Sequence, residues 1–127
     1  MLSAEDIQNA KKQCRYLHPT EVFHEHDDCI RLAYEWLDAK NTRLTSSGQG
    51  RPIKHIIEKW AGRYVSQSDV EVAAMLHSRI RGKYPDFNLS KRLVYPSERR
   101  LAAIPEALTQ GYREKMQAAV YALYEDD

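Results

Sequence analysis

PIKHIIEKWAGRYVSQSDVEVAAMLHSRI, residues 52–80, is the stretch on which the reading of the whole chain turns. Ile53, Ile56, Ile57, Trp60 and Tyr64 recur at intervals of three and four, which lays one apolar face along an α-helix, and Pro52 suits a first turn whose N–H has no partner. Trp60 sits mid-stripe and is expected in the core. Gly62 weakens the pattern. Ser68-Asp69-Val70-Glu71 then spells a capping box, in which the Ser68 hydroxyl accepts from the Glu71 amide and the Glu71 carboxylate returns to the Ser68 amide. A second helix is therefore expected from about Asp69 to Ile80, carrying Val70, Ala73, Ala74 and His77 on one side.

Two helices joined by a short turn, the second opening with VSQSDV, resemble a helix-turn-helix DNA-binding module at Val65, Ser66, Gln67, Ser68 and Val70. The resemblance covers roughly a fifth of the chain and implies a recognition helix from about Asp69, with Arg63, Gln67 and Ser68 as contact residues beside its start. The competing reading is a pair of ordinary core helices with a good cap.

Outward from this pair, 127 residues that are 43% hydrophobic and 29% charged suit one soluble globular domain. Cys14 and Cys29 form no C-x-x-C, so a reducing, cytoplasmic setting is expected, with both thiols as packing residues. Neither a secretory leader nor a membrane span is read from the sequence, so no membrane partner is expected. Toward the N-terminus, Ser3 caps a helix with Ile7, Ala10, Cys14 and Leu17 on one face, stopped by His18 before Pro19. Thr20 caps a second helix through Phe23, Ile30, Ala33 and Leu37 to about Ala39. Helices thus occupy 3–40, a loop 41–51, mobile at 46–50, and the helix pair 52–80. His18, His24, His26, Asp27, Asp28 and Cys29 are dense enough to weigh as metal ligands, but on a helix His24 and His26 point about 200° apart, so no metal is expected.

Residues 79–100 carry Arg79, Arg81, Lys83, Lys91, Arg92, Arg99 and Arg100 against Asp86 and Glu98, a balance of +5 in a chain of net +1. Tyr84, Phe87 and Tyr95 are interleaved, and Gly82, Pro85, Asn88 and Pro96 break the stretch into turns, leaving room for a small hairpin or wing at 83–96. Such a segment suits contact with phosphates, DNA more than RNA. The alternatives are an acidic protein partner held by the same face, and a plain solvated surface. From 105 to 125 a last helix is expected, with Tyr112, Met116, Ala119, Val120 and Leu123 on its stripe and its tyrosines offering a homodimer seam. The phosphate-loop, dinucleotide, zinc-protease and nucleophile-elbow motifs are absent, so no catalytic residue and no cofactor are assigned. The expected architecture is mainly α, a single domain of about five helices. The expected role is a nucleic-acid-binding or regulatory protein, or else an adaptor or inhibitor that binds protein.

Overall fold

The computed structural model describes residues 1–46, 50–114 and 119–126. Among them the chain forms four α-helices: α1 (Ala4–Gln13), α2 (Asp27–Asp38), α3 (Lys54–Ala61) and α4 (Gln67–Leu76). Two short strands, β1 (Leu93–Tyr95) and β2 (Tyr121–Tyr124), pair in parallel with an irregularity between Leu93 and Val94. The mainly helical character agrees with the sequence reading. The fifth helix and the hairpin do not: β1 finds its partner near the end of the chain, not within 83–96.

α4 is the centre. Every residue from Ser68 to Ala74 is buried, the polar ones included. α2 makes the most extensive packing against it and α1 lies on it as well, while α3 rests on α2. One core runs from Ile7 of α1 through Trp36, Ile57, Trp60 and Val70 to Tyr121 of β2. Trp60 is 1% exposed, as its place in the stripe implies; truncation to alanine there costs about 3–5 kcal/mol.

A helix buried over most of its length takes its carboxylates inside with it, and those need donors. The segment 14–25, irregular apart from a 3₁₀ turn at Pro19–Glu21, supplies them. Leu17 N donates to Glu71 Oε1 at 2.8 Å, Phe23 N to Ser68 Oγ at 3.1 Å and Glu25 N to Asp69 Oδ2 at 3.4 Å, while Ser66 Oγ donates to Phe23 O at 2.6 Å. These bonds explain three departures from the expected boundaries. α1 stops at Gln13 instead of His18, because Cys14 turns extended to start the strap. α2 starts at Asp27 instead of Thr20, because Phe23 and His24 are committed to α4; His26 becomes its cap, Nδ1 accepting from Asp28 N at 2.9 Å. The capping box of α4 is Ser66 with Asp69, not Ser68 with Glu71, whose side chains serve Phe23 and Leu17.

α3 ends at Gly62 in the left-handed region, φ +65°. A Cβ there would lie 3.0 Å from Leu108 Cα, and that closeness lets the 106–110 backbone serve the helix end: Leu108 N donates to Ala61 O at 2.8 Å and Gln110 N to Gly62 O at 3.0 Å. The expected C-terminal helix is thereby replaced. Its first residues are turns that finish α3, and Tyr121–Tyr124 is a strand, so the helix on which a homodimer seam rested is not formed among the described residues. Residues 47–49 of the expected mobile loop, and Met116 of the expected helical stripe, lie outside the described residues. No described helix is long and apolar enough to cross a membrane.

Candidate functional site

The expected contact residues fall into three groups. Arg63 and Ser68 are internal. Arg63, 7% exposed, donates from Nε to Glu106 Oε1 at 3.0 Å and from NH1 to Tyr64 O at 3.0 Å, with Glu25 Oε1 3.6 Å away. Ser68 is 6% exposed and held by Phe23. Gln67 is half-buried at the first position of α4. Entry of the α4 N-terminus into a DNA groove would require the 14–25 strap to leave it.

The second group, Arg79, Arg99 and Arg100, is tied into the fold, Arg79 and Arg100 through carboxylates. Arg100 is a hub: NH1 donates to Glu35 Oε1 at 2.7 Å and Asp38 Oδ2 at 2.9 Å, and Nε and NH2 clamp Glu125 at 2.7 and 2.6 Å. Arg79 NH2 reaches Asp38 O at 2.9 Å and Asp38 Oδ1 at 3.3 Å. Arg99 bonds Ser97 Oγ and Asp126 O, and Arg113 pairs with Glu98. His77 Nε2 adds a bond to Asp38 Oδ1 at 2.7 Å. Burial alone would raise the Asp38 carboxyl, but the hydrogen bonds from His77 and Arg100 outweigh it and hold it below the usual range. Glu125 is lowered chiefly by its hydrogen bonds from Arg100. Here the cations hold the fold together.

The third group, Arg81, Lys83, Lys91 and Arg92, is exposed, and no acid pairs with these side chains among the described residues. Asn88 joins their loop to the 41–51 loop. Only 2% exposed, it accepts at Oδ1 from Arg81 N at 2.7 Å and donates from Nδ2 to Arg43 O at 2.7 Å and Arg79 O at 2.9 Å. Its backbone donates to Arg81 O and accepts from Arg43 N. Thr42 and Leu89 form an antiparallel bridge beside it. Asp86 Oδ1 accepts from Gly50 N at 2.6 Å, an approach open only to glycine, since a Cβ at 50 would collide with Asp86 Oδ1 and Pro85 O.

This stapling brings in two cations that the run of bases at 79–100 does not include. Arg43 and Arg51, both exposed, stand on the 41–51 loop with no acid in that segment. Residues 41–51 carry +2 and residues 81–92 carry four bases against Asp86, or +3; the two loops together hold +5 of a chain whose net charge is +1, so the remaining residues carry −4. The signal open to sequence reasoning is an acid-free loop with two arginines, and nothing local ties it to residue 88.

The histidine-rich segment resolves into separate structural tasks. His24 bridges Tyr16 OH at 2.7 Å and Asp69 Oδ1 at 2.8 Å, Asp28 pairs with Arg31 at 2.6 Å, and Cys29, its thiol pushed up to about 12 by burial, donates to Tyr64 O. Among the described residues no three His, Cys, Asp or Glu side chains converge as metal ligands would. No family model matches the sequence, and neither a curated protein nor a solved structure is similar to it.

Proposed function

We propose that this chain binds nucleic acid on the Asn88-stapled loop face, with Arg43, Arg51, Arg81, Lys83, Lys91 and Arg92 on phosphates. One observation carries the reading: a buried asparagine holds two loops together whose six cations have no acid partner among the described residues, although acids elsewhere neutralise the neighbouring arginines. Leaving like charges side by side costs stability unless a polyanion relieves them. Apart from Leu44, the exposed side chains longer than asparagine on the described parts of these loops are those cations. A face of that composition suits a phosphate backbone better than the aromatic, lysine-poor centre typical of protein interfaces. The loops, rather than α4, carry the contacts, because the α4 N-terminus is covered by the strap.

Titration of mixed-sequence duplex DNA, single-stranded DNA and RNA across a salt series tests it. The logarithm of affinity should fall steeply with the logarithm of salt concentration, and Arg81→Ala with Arg92→Ala should lower the slope by about 2, one for each phosphate no longer neutralised. No binding to any of them at low salt, together with capture of an acidic protein that depends on the same arginines, would give the face to a protein partner instead.

A further inference from the structure

Between the end of α1, the exposed side of α4 and the basic loop lies a cavity of about 340 Å³, at the small end of ligand-pocket sizes. Met75, Ile80, Tyr84 and Phe87 supply apolar wall, and Met75 is 41% exposed, so the wall is reachable. Tyr84 and Phe87 meet edge to face with centroids 6.0 Å apart, which fixes their orientation. The cavity also has a polar floor and a cationic edge. Glu71, 9% exposed, lines it; Oε1 accepts from Leu17 N, and Oε2 has no partner among the described residues. Arg15 and Lys83 line it too, both exposed and without an acid partner among the described residues. Lys83 belongs at once to this cavity and to the loop face.

A carboxylate oxygen with spare lone pairs beside a cavity is a ready acceptor for N–H donors. A guest that donates to Glu71, lies flat on sulfur and aromatic carbon, and carries phosphate toward Arg15 and Lys83 is a nucleotide. Guanine offers two adjacent donors, N1–H and the N2 amine, to one carboxylate; the adenine edge offers one amine and uracil or thymine one N–H. We infer that this cavity holds one unpaired guanine of a single-stranded nucleic acid whose backbone runs on over the loop face, with Glu71 reading the base. The inference rests on the proposed nucleic-acid role and narrows it to unpaired strands, since bases stacked in a duplex cannot reach the floor.

Three probes separate the two readings: a thymine 12-mer with one central guanine, the same strand with hypoxanthine there, which lacks the N2 amine, and guanosine 5′-monophosphate alone. The guanine strand is expected to bind about tenfold tighter than the hypoxanthine strand. Glu71→Gln, which keeps an acceptor for Leu17 N but replaces the other oxygen with a donor, should shrink that ratio to within about twofold. Met75→Trp, filling the cavity from a partly exposed position, should do the same. The mononucleotide should shift the methyl NMR signals of Met75 and Ile80. Strand binding that ignores the base, or a ratio indifferent to both substitutions, overturns the guanine pocket and leaves the loop face standing. Shifts at Met75 and Ile80 from the mononucleotide without any strand binding support the pocket for a free nucleotide and overturn the loop face.

Discussion

Arg92 and Arg100 are eight positions apart in one basic segment, yet they live in different electrostatic worlds. Arg100 meets carboxylates from Glu35, Asp38 and Glu125, brought from α2 and from the residue after β2. Arg92 is exposed on a loop where Asp86 is the one acid, and that carboxylate accepts from Gly50 N. Counting charges along the segment gives both arginines the same weight. What separates them is where the distant acids land, and that is decided by tertiary packing. Basic residues that close a fold and basic residues with no acid partner among the described residues can therefore share one stretch of sequence.

If that division holds, substitutions on its two sides should differ in kind. Arg100→Ala is expected to have the largest effect, a loss of about 2–3 kcal/mol in urea denaturation, because three part-buried carboxylates lose their common donor. Arg100→Lys should recover little, since an ammonium cannot clamp Glu125 while also reaching Glu35 and Asp38. Asp38 and Glu125 have lowered pKa values, so their contribution is present above the usual carboxylate range and fades as pH falls through it. The parent should therefore lose stability steeply as the medium is acidified through that range, and Arg100→Ala, whose carboxyls are less depressed, should lose less. Equal acid profiles for the two proteins would dissolve the hub.

Lys40 sharpens the comparison from a third side, as a buried amine without a carboxylate bond. It is 2% exposed, its Nζ donates to Trp36 O at 3.0 Å and Val94 O at 2.6 Å, and it lies 3.7 Å from the Trp36 ring centroid. Burial pushes its ammonium down to about 6. Between there and the ordinary lysine range the unfolded chain binds the extra proton, so stability should rise with pH, by at most about 1.4 kcal/mol per unit. From pH 6 to 8 a gain of about 2 kcal/mol is expected, and Lys40→Met should flatten it. A parent whose stability is level over that range would mean the carbonyls and the indole face keep the ammonium charged.

The smallest effects on stability belong to the loop face. Arg43→Ala, Lys83→Ala, Lys91→Ala and Arg92→Ala should each stay within about 0.5 kcal/mol of the parent, while each that meets a phosphate lowers the salt slope by about 1. Asn88→Ala is the exception that tests the staple: it removes the side-chain partners of part-buried backbone groups of Arg43, Arg79 and Arg81 and should cost about 1–3 kcal/mol. Should Asn88→Ala prove silent in both stability and binding, the two loops are not one surface.

Local sequence carries the parts of the fold that depend on local interactions. Ser3 caps α1 as the pattern implies, and Asp6 closes a capping box with it, the stripe through Ile57 and Trp60 faces the core, and Gly62 stops α3. Where two serines could each cap α4, the choice is made by Phe23 and Leu17, 45 and 54 positions away from the residues they bond. The end of the chain departs from its pattern for a related reason. Tyr112, Val120 and Leu123 fit a helical stripe, but the 106–110 backbone is drawn to the open end of α3, and Tyr121 is drawn to Trp36. One part of the candidate face is legible as a run of bases at 81–92; the part on 41–51 needs Asn88, whose bonds span the two loops.

The bond from Trp36 Nε1 to Tyr121 OH, 2.9 Å long, also gives the molecule an optical gauge. Trp60 sits among α3 and its neighbours, but Trp36 shares its indole hydrogen with β2, so release of that strand changes the polarity around one of the two fluorophores while leaving the other in place. A tyrosine so close is also an efficient donor of excitation energy to the indole. Emission excited at tyrosine wavelengths should therefore fall relative to emission excited at tryptophan alone as β2 detaches, so the ratio of the two follows loosening of the sheet.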